Sequence, residues 1–144
     1  MALARLGAIE AGGTKVVCLV GSDPDHIVAR TRIPTGEPAE TLAQVFAFFQ
    51  QEVRSGGPLA AIGITSFGPL ELRRSHPRYG FITTSSKPGW SNVDMVGPVQ
   101  SGLGVPVAFD TDVNGAALGS LAGPAGALVL ADRANQLEEA NHAR

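Results

Sequence analysis

Apolar residues along this chain switch between two spacings, and each switch marks an element. Residues 6–10 are a short apolar run closed by AGG, and 15–21 are another, so the pair reads as two strands joined by a tight glycine turn. IVARTRI at 27–33 alternates apolar with polar, as a strand with one solvated face does. The pattern breaks at 34–37, and Pro38 opens a helix, because a first helical turn has no use for the N–H that proline lacks. Leu42, Val45, Phe46, Phe49 and Val53 then recur at helical spacing until SGG at 55–57 ends the stripe. LAAIGIT at 59–65 is short, apolar and bounded by turn residues, which suits a strand buried on both faces. A loop rich in Gly, Pro and charge follows, SFGPLELRRSHPRYGF, and then a short strand over 82–85. KPGW at 87–90 turns into a modest helix over 92–103, 105–109 is the fifth main strand, and the chain becomes helical from 113 onward.

The resulting order is βββαβ(β)αβα. Short turns make neighbouring strands antiparallel, whereas helical crossovers make them parallel. The expectation is an α/β fold, a single lobe of the ribonuclease H-like kind with a mixed five-stranded sheet flanked by helices. At 144 residues the chain is long enough to bury one core and short for two.

Composition narrows the function classes. With 44% apolar residues, 17% charged and a formal net charge of −2, nothing points to the basic face that nucleic acid requires. The longest apolar run, at 127–131, is far short of the roughly 20 residues that cross a membrane. MALARLGAIEAGG is too quickly interrupted by Glu10 and glycines to serve as a secretory signal, and a cytoplasmic protein is the expectation. Cys18 lies in an apolar run, where a small buried hydrophobe is the first reading and a reactive thiol the second. His26, His76 and His142 are far apart, with no Cys or carboxylate at ligand spacing, so no zinc site is expected and no protein-built metal site is assigned.

Three stretches carry candidate chemistry. In Glu10-Ala11-Gly12-Gly13-Thr14-Lys15, two glycines let backbone amides approach an anion, Thr14 adds a hydroxyl and Lys15 a point charge. The loop joins two strands with no helix after it, so it is not a Walker loop, and a plain hairpin turn fits the pattern equally well. Asp110-Thr111-Asp112-Val113-Asn114 sits where a buried strand meets a helix, the position at which open sheets bind ligands. A carboxylate there is suited to act as general base toward a hydroxyl, and helix capping by Asp112 or Asn114 is the competing reading. TTSSKPGW at 83–90 offers a sugar hydroxyls and an amphipathic ring, or else is a solvated loop with Trp90 turned inward as a core plug.

Taken in order and spacing, IEAGGTKVVCLVG, IGITSFGPLEL, GFITTSSKPGW and PVAFDTDVNGAALG closely resemble the first lobe of the bacterial ROK-family sugar kinases, in particular the fructokinases, over residues 6–119. The resemblance implies an actin-like, two-lobed ATP-dependent kinase that phosphorylates a hexose hydroxyl, with ATP and Mg2+ as the parent family's cofactors and fructose as the sugar. By the same resemblance Asp112 takes the part of catalytic base, Gly12, Gly13, Thr14 and Lys15 form the first phosphate loop, and Glu10 stands where an acid near the metal-bound phosphates is expected. Gly68, Pro69, Pro88, Gly89, Trp90 and Thr111 would face the sugar, although many family members have Asn at the position of Thr111.

A family member would continue after AALG into a second lobe, with another glycine-rich phosphate loop, a His- and Cys-bearing zinc segment and the adenosine pocket. Here AGPAGALVLADRA follows instead, and it resembles the family's extreme C-terminus, a helix that returns to the first lobe. The expectation is a first lobe over 1–119 and a junction with a returning helix over 120–144, the flanks rejoined near 120–123. A natural short relative, or a chance apolar helix with Leu130, Ala134 and Leu137 as its stripe, is the alternative. Such a lobe is expected to be inactive by itself, to bind neither ATP nor Mg2+ tightly, and to pair into a homodimer through its exposed cleft. The competing classes are an engineered folded domain with no activity, a residual sugar-binding module, and the effector domain of a sugar-responsive repressor. The last is disfavoured because no DNA-binding helices precede Leu6.

Overall fold

The structure, a computed structural model, describes residues 3–114 and 124–142. The chain runs β1 (Leu6–Ala11), β2 (Lys15–Asp23), β3 (His26–Pro34), α1 (Pro38–Gly56), β4 (Ala61–Ser66), β5 (Phe81–Ile82), β6 (Val93–Asp94), α2 (Gly97–Leu103), β7 (Val107–Thr111) and α3 (Pro124–His142). β1, β2 and β3 form an antiparallel meander, and β4 and β7 extend it in parallel beyond β1, giving the order β3-β2-β1-β4-β7. This is the mixed five-stranded sheet that the turn and crossover lengths lead one to expect.

The two-residue period of the strands sorts their side chains into two cores. Ile9, Val16, Cys18, Ile62, Ile64 and Phe109 meet Val45 and Phe49 of α1 on one face. Leu6, Ala8, Val17, Leu19 and Ala61 meet Ala127, Leu128 and Ala131 of α3 on the other. With helices on both faces, β4 is buried along its whole length, which is why LAAIGIT has no alternation. Arg5 ties the end of α1 to the start of β1: its Nη1 donates to the Gly57 carbonyl at 2.8 Å, and Nη2 pairs with Glu52. Cys18 is fully buried, and burial pushes its thiol up to about 12, so it packs as a small hydrophobe. Among the described residues no helix is long and apolar enough to cross a membrane.

Three elements differ from the sequence reading. The strand expected over 82–85 is only β5, paired antiparallel with β6 in a separate ribbon. Thr83 and Ser85 are drawn off by other partners, the Pro69 carbonyl and the Ser91 hydroxyl. The helix expected over 92–103 starts at Gly97, because Asn92 takes a φ of 61° after the KPGW turn and the Asp94 carboxylate then accepts the Gly97 N–H at 2.9 Å. On α3, Leu137 is 63% exposed. The face that meets the sheet carries Ala127, Leu128, Ala131 and Ala134, and Leu130 is buried as well, which leaves Leu137 outside it.

Candidate active site at the carboxyl ends of the parallel strands

β1, β4 and β7 end side by side: Ala11 lies opposite Ser66, and Ser66 opposite Thr111. One residue earlier, Glu10, Thr65 and Asp110 occupy a single cross-sheet row, which continues through Val17 to Arg32 on β3. The strand period puts this row on the same face as Leu6, Ala8 and Ala61, the residues beneath α3. That face is therefore apolar at the amino ends of the parallel strands and polar at their carboxyl ends.

The β1–β2 turn is closed by the Gly12 N–H, which donates to the Lys15 carbonyl at 2.9 Å. Thr35 clamps the turn, its hydroxyl donating to the Gly12 carbonyl at 2.8 Å and its N–H to the Thr14 carbonyl at 2.9 Å. Gly13, Thr14 and Lys15 are exposed, and a Cβ on Gly13 would meet nothing within 4 Å, so the tip of the turn is open to a ligand. Burial raises the Glu10 carboxyl above its ordinary value; Lys15 and Arg30 work against that rise, and Asp112 adds to it. Residues remote in sequence, Glu10, Lys15, Arg30 and Asp112, thus share one electrostatic neighbourhood.

At the end of β7 the Thr111 hydroxyl accepts the Asn114 N–H at 3.1 Å, which is N-cap geometry, and the chain turns helical at Asp112. Capping falls to Thr111, not to Asp112 or Asn114. Asp112 is exposed, and its Oδ1 accepts only the neighbouring Val113 N–H, at 2.9 Å, among the described residues. Asp110 is occupied differently: its Oδ1 accepts the Thr111 N–H at 2.7 Å and the Asn114 Nδ2 at 2.8 Å.

The Phe67 N–H donates to the Ala11 carbonyl at 2.9 Å, so the loop carrying Gly68 and Pro69 leaves directly from the β1–β4 pairing. The Pro69 carbonyl accepts both the N–H and the hydroxyl of Thr83, at 2.9 and 3.1 Å, which stitches that turn to the TTSS segment. Gly68, Pro69, Pro88 and Gly89 are exposed, and Gly89 uses a φ of 85° that only glycine adopts freely. Trp90 is fully buried, donates from Nε1 to the Gly36 carbonyl at 2.9 Å, and meets Phe67 edge-on with ring centroids 5.7 Å apart. Of the two readings of Trp90 the structure favours the core plug: its ring is buried beneath the KPGW loop. Sequence reasoning misses Thr35, Arg30 and Thr65. The alternation in IVARTRI puts Arg30 and Arg32 on one face, but nothing local says that this face is the one Glu10 shares.

Residues 6–125 match the ROK family. A fructokinase of Pediococcus pentosaceus is 46% identical over 114 residues, which is 79% of this chain and 38% of that protein. The ROK hexokinase of Thermus thermophilus superposes with a TM-score of 0.67 at 25% identity, over 85% of this chain and 40% of that one. A ROK family glucokinase from Streptomyces griseus, solved with glucose and AMPPNP, superposes with a TM-score of 0.64 at 21% identity, over 86% of this chain and 38% of that one. The chain spans about two fifths of the length of the curated relatives it matches.

Proposed function

We propose, from the premise that this chain belongs to the ROK family, that it is the first lobe of an ATP-dependent hexose kinase of the fructokinase kind, folded but unable to transfer phosphate by itself. The observation that carries this reading is the convergence of Glu10, Lys15 and Asp112 at one end of the sheet, beside an open glycine turn. The turn fits a phosphate: the space above Gly13 is clear, the Lys15 ammonium is exposed, and Thr35 holds the backbone in place. ATP with Mg2+, when bound, supplies the phosphoryl group. Lys15 and the amides of Gly13 and Thr14 would offset negative charge on the phosphate oxygens, with Gly12 shaping the turn through its own N–H bond to the Lys15 carbonyl. Asp112 would take the proton from the hexose hydroxyl as that oxygen attacks, using the carboxylate oxygen that Val113 leaves free. Gly68, Pro69, Pro88 and Gly89 form the exposed rim against which the sugar would lie, and Thr111 holds the helix that carries Asp112.

Residues 120–144 are read as a junction followed by the returning helix. The seating of α3 on the sheet favours this: a Cβ on Gly63 would land on the Ala127 carbonyl oxygen, a backbone-close fit that a chance apolar helix has no reason to achieve. The junction itself, near 120–123, lies outside the described residues. Fixing two substrates in line supplies on the order of 7 to 11 kcal/mol of catalysis, so half a cage should be slower by several powers of ten even with the base in place.

A coupled ADP-release assay with fructose, ATP and Mg2+, run beside Asp112→Asn, tests the reading together with a fructose titration by calorimetry. The expected result is no turnover above background. Turnover at about one per second or faster, abolished by Asp112→Asn, would overturn the inactive-lobe reading and require a second half supplied by self-assembly. Fructose binding without turnover would instead establish the second reading, a residual sugar-binding module, which the exposed rim favours.

A further inference from the structure

Thr65 lies between Glu10 and Asp110 in the polar row, and the proposed function makes no use of it. It is 1% exposed, and its Oγ1 has no hydrogen-bond partner among the described residues. Hydroxyls buried this deeply are almost always paired, with protein or with an ordered water. Register gives Thr65 two carboxylate neighbours on its own face, each one strand away at a spacing of about 4.8 Å. Neither reaches Oγ1 directly. Asp110 has its Oδ1 engaged by Thr111 and Asn114 and its Oδ2 left over. Glu10 is half-buried and unpaired by any hydrogen bond among the described residues, with Lys15, Arg30 and Asp112 as the charges acting on it.

We propose that Thr65 Oγ1, Glu10 and Asp110 hold one buried water, and that through this water Thr65 is a positioning residue for the Glu10 carboxylate. The water accepts the Thr65 O–H and donates its two protons to the two carboxylates, which gives it the three partners that buried waters typically have. Polar groups on neighbouring strands that face the same side without touching are where a bridging water is to be sought. The positioning role rests on the place of Glu10 beside the proposed phosphate turn, whereas the water itself does not.

The test compares Thr65→Val with Thr65→Ser in the whole 144-residue chain, without nucleotide or sugar, so that failure of the kinase reading leaves its result standing. Valine keeps the shape and removes the hydroxyl; serine keeps the hydroxyl. Thr65→Val should lower the thermal midpoint by about 2 to 6 °C and move the 13C resonance of the Glu10 carboxyl, while Thr65→Ser should leave that resonance in place. The unaltered protein should show a nuclear Overhauser contact between a long-lived water and the Thr65 methyl. A Thr65→Val chain that melts at the same temperature or higher, with the Glu10 resonance unmoved, would overturn the proposal, because an idle hydroxyl is better replaced by a methyl. Should Thr65→Val fail to fold, Thr65→Ser and Thr65→Ala make the same contrast, and equal behaviour of those two overturns it.

Discussion

Gly7 and Gly63 stand in neighbouring strands and look toward opposite helices. A Cβ on Gly7 would come within 2.9 Å of Phe49 and Ile62, touching side-chain atoms and no backbone. A Cβ on Gly63 would land on the Ala127 carbonyl and beside the Ala131 N–H, which belong to helix backbone. The α1 face is built from large side chains that interdigitate, so it can absorb a change by repacking. The α3 face is built from Ala8, Ala61 and Gly63 against Ala127 and Ala131, and it admits the helix at one depth only. Close backbone approach of this kind makes α3 a fitted part of the fold, and it lets the helix cover the apolar end of the face while the polar row lies beyond it.

The comparison predicts its largest effect for removal of the whole helix. Without residues 120–144, Leu6, Ala8, Val17, Leu19 and Ala61 lose their cover, and a contiguous apolar patch of that kind promotes association. We expect the shortened chain to aggregate, or to melt lower by about 10 °C or more. A soluble product with an unchanged melting temperature would mean that α3 is not the partner of this face.

A second, smaller contrast separates the two faces directly. Gly63→Ala should cost about 3 kcal/mol or more and raise hydrogen exchange throughout α3, because the only relief is to lift the helix. Gly7→Ala should cost less, about 1 to 2 kcal/mol, with α1 exchange little changed, because it meets side chains that repack more readily than helix backbone. Denaturant melts of the two variants give the numbers, and equal costs would break the distinction.

What the sequence discloses follows the same division between local and non-local causes. The β1–β3 meander and α1 are legible because alternation in IVARTRI and the helical recurrence from Leu42 to Val53 are properties of the segment itself. β6 is not, since Val93 and Asp94 are a strand only by virtue of Phe81 and Ile82 across from them. Of the stripe Leu130, Ala134, Leu137, the first is buried and the second packs on the sheet, whereas Leu137 is 63% exposed, because which positions of α3 meet the sheet depends on the strands beneath it. At the candidate site, spacing and resemblance are enough to propose Glu10, Gly12, Gly13, Thr14, Lys15 and Asp112. Thr65 is not, because membership of the Glu10–Asp110 row depends on the register of strands far apart in the chain. Trp90 shows the limit of composition, since a ring suited to a sugar is equally suited to a core, and its full burial with the bond to the Gly36 carbonyl favours the core.

The smallest expected effect lies at the polar end of the α3 face, and its sign can be worked out. Burial raises the Glu10 carboxyl above its ordinary 4.5, with Asp112 adding to the rise and Lys15 and Arg30 opposing it. A carboxyl raised on folding contributes stability that is fully present below its unfolded value and is lost as pH climbs through the folded one. Glu10→Gln is neutral throughout, so its melting curve should match the unaltered protein near pH 3 and lie slightly above it at neutral pH. Glu71 supplies the opposite case on the loop after β4. Hydrogen bonds from the Arg73 side chain and N–H hold its carboxyl down at about 2, so its contribution is present above the ordinary 4.5 and is lost as pH falls toward 2. Glu71→Gln should therefore melt lower at neutral pH, and the gap should close in acid. Melting scans of both variants across that range distinguish the two signs. If Glu10→Gln were the less stable at neutral pH, the attraction of Lys15 and Arg30 would outweigh burial, and the polar end of the α3 face would be held together by its charges despite their desolvation.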